Sequence, residues 1–300
     1  MMVRKAIMPV AGLGTRFLPA SKAIPKEMIT VVDRPVIQYV VAEAVAAGIR
    51  EIVLVNHAAK AAIENHFDVH YELEAELARK GKEALLRVLR DIVPTEVRVI
   101  SVRQGRPLGL GHAVLCAREV IGDEPFAVML PDVLVDAVPA GAAVEAENDL
   151  ARMLARFAEG GHSQVMVEAV PRERVDQYGI VDLAGAEPAA GESTPMQGVV
   201  EKPSPEQAPS QLSVVGRYVL PPRLFALLAE TAPGAGGEIQ LTDAIAALMQ
   251  EQPVAAYRML GKTYDCGSKL GYLEATLAYG LRHPELGEGF RDLARQALAR

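Results

Sequence analysis

The residues best suited to chemistry lie in one early segment, Val10-Ala-Gly12-Leu-Gly14-Thr15-Arg16-Phe-Leu-Pro-Ala-Ser-Lys22-Ala-Ile-Pro25-Lys26-Glu27. An apolar run passing into two glycines lets backbone approach a flat ring or a phosphate with no Cβ in the way. Arg16, Lys22 and Lys26 crowd the same short loop, and three like charges suit a triphosphate better than a solvated turn of mixed sign. A dinucleotide fingerprint needs a third glycine where Phe17 stands and an acid where the second strand ends in Asn56, so hydride transfer fits poorly. The Gly-Lys-Ser/Thr of a P-loop is absent. Further along, Asp132 follows the apolar run Phe126–Leu130, and Asp265 follows a short strand-like segment. Both carboxylates therefore sit at strand ends, where ligands of open α/β sheets bind. Glu201-Lys202 precedes Pro203, and Gln104 ends another strand with an amide able to donate to and accept from a base edge. Each has a plainer reading: salt bridges of Arg16 and Lys26 with Glu27 or Asp33, a turn at Asp132, a loop acid at Asp265, an exposed Glu-Lys pair. His66 and His70 are four apart on a helix but lack the glutamate and third ligand of a zinc site. Cys266 has no partner base for a nucleophilic role.

The elements that must position these groups alternate between strand and helix. Strands are expected at Lys5–Val10, Glu51–Val55, Glu96–Val102 and Phe126–Leu130. Helices are expected at Pro35–Ala47, along the charged segment Asp68–Asp91 with Leu73, Leu77, Leu85 and Leu89, and at Gly111–Val120. Such alternation predicts crossover units and a mostly parallel sheet flanked by helices, an α/β class with a Rossmann-like core. The second half is more mixed. A helix is expected over Ala143–Glu159 and short strands at Val165–Val170, Ile180–Leu183, Val199–Glu201 and Val214–Leu220. Ala184–Gly198 reads as a long hairpin tip and Pro203–Ser210 as a loop. Helices return at Pro222–Glu230, Leu241–Gln250 and Lys269–Leu281. A last one carries Phe290, Leu293 and Ala297 on one stripe, for a partner or its own subunit. The predicted organisation is one domain over 1–280, with an α/β core over about 1–135 and a smaller α+β region over about 160–265, then a C-terminal helix over 281–300.

Composition bounds the rest. The chain has 300 residues, 31 Lys plus Arg against 38 Asp plus Glu, and a net charge of −7. That balance disfavours a nucleic-acid partner, whose binders are usually basic. The longest uncharged stretch, Pro107–Ala117, falls short of the ~20 apolar residues of a membrane span. Two cysteines, Cys116 and Cys266, make no disulfide framework and suit a cytoplasmic, reducing compartment.

Gly12-x-Gly14-Thr15-Arg16-Phe-Leu-Pro with Lys22-Ala-Ile-Pro-Lys26-Glu-Met resembles the signature of the sugar-nucleotidyltransferases, the nucleotide-sugar pyrophosphorylases, and their uridylyltransferase branch in particular. The likeness continues in order through Gln104-Gly-x-Pro-Leu-Gly-Leu-Gly-His-Ala113, Pro131-Asp132, Tyr178-Gly179-Ile, Val200-Glu201-Lys202-Pro203, Gly216-Arg-Tyr, Gly237-Glu-Ile-Gln-Leu-Thr-Asp243 and Tyr264-Asp265-Cys-Gly-Ser-Lys-Leu-Gly. It spans nearly the whole chain and implies the nucleotide-diphospho-sugar transferase fold. The implied reaction moves UMP from UTP to glucose 1-phosphate, giving UDP-glucose and pyrophosphate by in-line attack without a covalent enzyme intermediate. A sibling enzyme using dTTP or another hexose 1-phosphate, and a non-catalytic regulatory paralogue, are the alternatives. The resemblance places Ala11, Gly12, Gly14, Thr15, Gln104, Gly109 and Gly111 on the nucleotide, with Arg16 and Lys26 on its phosphates. Gly179, Glu201 and Lys202 fall on the sugar phosphate, and Asp132 and Asp265 on Mg2+. Arg16, Lys26, Asp132 and Lys202 are thereby the catalytic set. It also implies a homo-oligomer, dimer or tetramer.

Overall fold

A computed structural model describes residues 2–136 and 148–299. In chain order its strands are β1 (Lys5–Pro9), β2 (Thr30–Val31), β3 (Arg34–Pro35), β4 (Glu51–Asn56), β5 (Arg98–Arg103), β6 (Phe126–Met129), β7 (Val133–Asp136), β8 (Ser163–Ala169), β9 (Gly179–Leu183), β10 (Ser193–Glu201), β11 (Leu212–Leu220), β12 (Val254–Arg258) and β13 (Lys262–Asp265). Nine of them form one sheet in the order β5-β4-β1-β6-β11-β8-β12-β10-β9. β5, β4, β1 and β6 run parallel, as the βα alternation predicts. From β6 onward the sheet is mixed: β11 is antiparallel to β6 and β8, while β12 runs parallel to β8. The smaller α+β region expected over about 160–265 is thus a continuation of the same sheet.

Alternating side chains send each strand's apolar residues to two separate cores. Ala6 and Met8 of β1 face one core with Ile37, Val40 and Val41 of helix Val36–Ala46 and Met153 and Phe157 of helix Asp149–Gly160. Ile7 faces the other with Val114, Phe225, Leu228 and Ile245 from helices Leu110–Cys116, Arg223–Glu230 and Leu241–Met249. Phe126 stacks on Phe225 there, centroids 4.7 Å apart. No described helix is long and apolar enough to cross a membrane.

Several expected boundaries move. The charged helix expected over Asp68–Asp91 is two helices, Tyr71–Arg79 and Glu83–Arg90, because Gly81 takes φ +64° and ends the first. Gly111–Val120 likewise divides into Leu110–Cys116 and Arg118–Ile121. β10 starts at Ser193, so the hairpin tip is shorter than the polar composition of Ala184–Gly198 suggests. Tertiary pairing with β12 and β9 recruits residues whose own β-propensity is weak. The helix expected from Ala143 begins at Asp149; residues 137–147 lie outside those described. At the C-terminus, Phe290 packs against Gly280 of helix Lys269–Arg282, where a Cβ would come within 2.8 Å of the ring. Leu293 is instead 61% exposed.

Candidate active site

The glycine-rich loop leaves the carboxyl end of β1 and is fixed locally. Gly14 has φ +67°, a left-handed conformation that glycine adopts freely, and the Ser21 hydroxyl donates to its carbonyl at 2.7 Å. Phe17, which stands where a dinucleotide loop has glycine, is buried and meets Tyr272 edge-on with centroids 5.7 Å apart. The loop is therefore pinned on helix Lys269–Arg282.

Four charges converge where this loop meets β7 and β13. Lys26 forms an ion pair with Asp132. Arg16 lies 3.9 Å from Asp132 and 3.5 Å from Asp265. The two acids, 133 positions apart in sequence, meet because β7 and β13 pair antiparallel with Asp265 opposite Val133. Glu168 supports that ribbon by accepting from the Thr263 backbone N–H at 3.3 Å and from its hydroxyl. Gly267 closes the cluster: a Cβ there would lie 2.7 Å from Asp132 Oδ2 and 2.9 Å from Asp265 Oδ1. Burial works to raise the Asp132 pKa, but the Lys26 and Arg16 charges outweigh it and hold the carboxyl below the usual range. Burial and the neighbouring Asp265 push the Cys266 thiol up to about 12, which suits packing and not nucleophilic attack.

The plainer salt-bridge partners of this loop are not used. Glu27 turns into the protein and is gripped by Lys60 through both carboxylate oxygens, at 2.9 and 2.8 Å. Both are buried; burial pushes Glu27 up and Lys60 down, each partly offset by the other's charge. Lys60, a lysine among alanines, has no partner in view along the sequence. Its pair with Glu27 anchors the short turn Lys26–Met28 and so points Lys26 at Asp132. Lys22 is exposed and joins none of these pairs.

A cleft of about 710 Å³ is lined by Arg16, Asp132 and Asp265 together with Tyr178, Gly179, Glu201 and Lys202. It brings the expected catalytic and sugar-binding residues together, with Lys26 reaching it through Asp132. Lys202 holds φ +49°, rare for a side-chain-bearing residue, and its N–H donates to the Tyr178 carbonyl at 2.9 Å. Gly179 leaves room for Glu201, whose Oε2 would sit 3.2 Å from a Cβ at that position.

The remaining nucleotide-site candidates do not line this cleft and gather beside it on the strand ends. Val10 donates to Val55, and Gln104 to Asn56, so the ends of β1, β4 and β5 lie side by side. Ala11, Gly12 and Thr15 occupy the loop between that edge and Arg16, and a Cβ on Gly12 would meet nothing within 4 Å. Gln104 Nε2 donates to the Gly109 carbonyl at 3.1 Å and lies 3.0 Å from His112 Nδ1. His112 orients that amide. Gly109 (φ +99°) and Gly111 have a packing reason to lack side chains: a Cβ on either would come 2.8 Å from the Ile239 carbonyl.

The arrangement can hold an oxyanion chain between Arg16 and Lys26. The Asp132–Asp265 pair has the hard oxygen donors of a divalent-cation site, two carboxylates with phosphate oxygens left to complete it. The recess that only a glycine at 267 leaves open lies between those carboxylates, so the donor set fits such an ion.

A family model described as nucleotidyl transferase matches residues 5–280. The chain is 57% identical over 289 residues to a UTP–glucose-1-phosphate uridylyltransferase of Escherichia coli K12, covering 96% of this chain and 94% of that protein. It superposes with TM-score 0.90 on a UTP-bound UGPase from Acinetobacter baumannii, at 59% identity over 98% of this chain and 99% of that one. A UDP-glucose pyrophosphorylase complexed with UDP-glucose matches with TM-score 0.82 and 39% identity, over 94% of this chain and all of the other.

Proposed function

The chain belongs to the nucleotidyl transferase family, and from that premise we propose that it transfers UMP from UTP to glucose 1-phosphate, releasing pyrophosphate and forming UDP-glucose. The observation that carries this reading is the cluster of Lys26, Arg16, Asp132 and Asp265 at a cleft that Glu201 and Lys202 also line. Two anionic substrates meeting end to end need cations at both ends and a charge-stabilised junction, with no protein nucleophile.

Ala11, Gly12, Gly14 and Thr15 receive the nucleoside, and Gln104 offers its amide oxygen to the base N–H because its donor group is already taken at Gly109 and His112. Gly109 and Gly111 shape the wall of that pocket. Arg16 grips phosphate oxygens through its planar fork while Lys26 supplies a point charge, together neutralising the departing pyrophosphate. Lys202 orients the attacking phosphate of the sugar, and Glu201, with Gly179 leaving it space, accepts from the sugar hydroxyls. Asp132 and Asp265 would hold a Mg2+ ion, which when bound polarises phosphate oxygens and screens their charge. The nucleotide-binding part falls at about 1–135 and the sugar-binding part at about 160–265 of one domain over 1–280, with the C-terminal helix after it. A second copy of the chain covers the exposed Leu273 and Leu277 of helix Lys269–Arg282, 59% and 47% exposed and one helical turn apart, making a homo-oligomer. Cytoplasmic residence suits UTP as substrate and the free thiols of Cys116 and Cys266.

The test is pyrophosphate release with UTP against dTTP, and with glucose 1-phosphate against the galactose and N-acetylglucosamine 1-phosphates. UTP with glucose 1-phosphate is expected to be fastest. A clear preference for dTTP, or no turnover with any pair, would overturn the reading.

A further inference from the structure

Arg217 is the largest fully buried side chain in the described protein, and it does not line the cleft. It projects from β11 on the same side as Val215 and Val219, toward the core that those two residues join. Relative to β8, β11 carries two extra residues between Val214 and Tyr218, a bulge of the kind that re-aims side chains. A guanidinium buried there is costly unless its donors are met, and here they are met in a telling way. Nε and Nη2 grip both oxygens of Glu43 at 3.0 and 2.7 Å. Nη1 donates to the carbonyls of Leu130 (3.1 Å) and Gly216 (3.3 Å), and Nη2 to that of Val133 (2.8 Å).

Leu130 and Val133 flank Pro131-Asp132, and Val133 is the residue opposite Asp265 in the β7–β13 ribbon. One planar group therefore fixes the chain on both sides of the first carboxylate and the register position facing the second. Glu43 is itself held from outside the site: Asn148, which caps helix Asp149–Gly160, donates to its backbone carbonyl at 2.9 Å. We propose that Arg217, oriented by Glu43, is a positioning residue that sets the separation of the Asp132 and Asp265 carboxylates and hence the site's affinity for its divalent cation. The inference rests on the metal reading above. A lysine at 217 would keep the charge but lose the fork that reaches Glu43 and two carbonyls together.

The test compares Glu43→Gln and Arg217→Lys with wild type, using Asp132→Asn as reference, in the full-length protein with UTP present. Free Mn2+ measured by electron paramagnetic resonance gives the dissociation constant, and thermal unfolding and the KM for glucose 1-phosphate are recorded alongside. Partners one shell out from a metal typically change its affinity by about 10–100-fold. Folded Glu43→Gln is expected to bind Mn2+ about tenfold more weakly with an unchanged KM for glucose 1-phosphate, and Arg217→Lys more weakly still. If Arg217→Lys does not fold, Glu43→Gln alone decides. Wild-type Mn2+ affinity in Glu43→Gln, with only a lowered Tm, would make the pair a structural salt bridge and overturn the inference. Unchanged Mn2+ binding in Asp132→Asn would overturn the metal reading, and the inference with it.

Discussion

Gly267→Ala separates the needs of the site from those of the fold. The Gly267 backbone is not in the left-handed region, so alanine is tolerated there conformationally. The added methyl would lie 2.5 Å from Arg16 Nη2, 2.7 Å from Asp132 Oδ2 and 2.9 Å from Asp265 Oδ1. Arg16 is 62% exposed and can swing away, whereas the Asp132 side chain is 13% exposed and held by Lys26. Restoring ordinary contact distances requires each carboxylate to retreat by roughly 0.5–1 Å. Misplacement near 1 Å costs about 100-fold in rate, so kcat/KM is expected to fall about 30–100-fold, roughly 2–2.7 kcal/mol in the barrier. Crowding the carboxylates costs about 1–3 kcal/mol, offset in part by the about 0.4–1 kcal/mol that alanine contributes by narrowing the unfolded ensemble, so a net loss of only about 1 kcal/mol in stability is expected. Pyrophosphate release measured beside thermal unfolding checks both halves. Full activity in the folded variant would refute the need for close carboxylates at this point, and a fall in Tm matching the activity loss would refute the separation of site from fold.

Three further outcomes follow from the geometry. Lys60→Met leaves Glu27 buried without its partner and should cost about 3–5 kcal/mol in urea unfolding, with a fall in kcat as the Lys26 turn loosens. Lys202→Ala removes a 62% exposed side chain, so Tm should stay within a few degrees while the KM for glucose 1-phosphate rises at least tenfold; an unchanged KM would remove Lys202 from the sugar phosphate. Tyr39 donates to the Val31 carbonyl at 2.8 Å, and burial, with the nearby Asp33 charge, pushes its pKa up to about 12. Its folded pKa is above the unfolded value of about 10, so this contribution is full below pH 10 and lost as pH rises toward 12. Denaturant unfolding at pH 8, 10.5 and 11.5 should show a steeper loss for wild type than for Tyr39→Phe.

Local sequence carries those features that depend on neighbours within a few residues. The strand ahead of Gly12 and the helix from Val36 are both visible that way, because an apolar run and a proline each act on their own segment. The placement of Asp132 and Asp265 at strand ends is visible too. Their meeting is not, since it depends on β7 pairing with β13 across about half the chain. Lys60 and Arg217 escaped for a related reason: composition treats a charge as solvated unless a partner is in view, and Glu27 and Glu43 come within reach only after folding. Phe17, useful in the sequence only to exclude a dinucleotide loop, proves to be the anchor of the glycine-rich loop.

The four charges at the junction also have a bearing on the order of events. Two cations and two anions neutralise one another before any ligand arrives. A triphosphate entering alone would draw Arg16 and Lys26 away and strand two carboxylates; a divalent ion entering alone would strand the cations. Entering together, each would leave the other's natural partner free, so on the proposed reading nucleotide and metal would help each other bind by the same factor in either direction. On the proposed reading the junction would behave as a double lock that opens only to both keys.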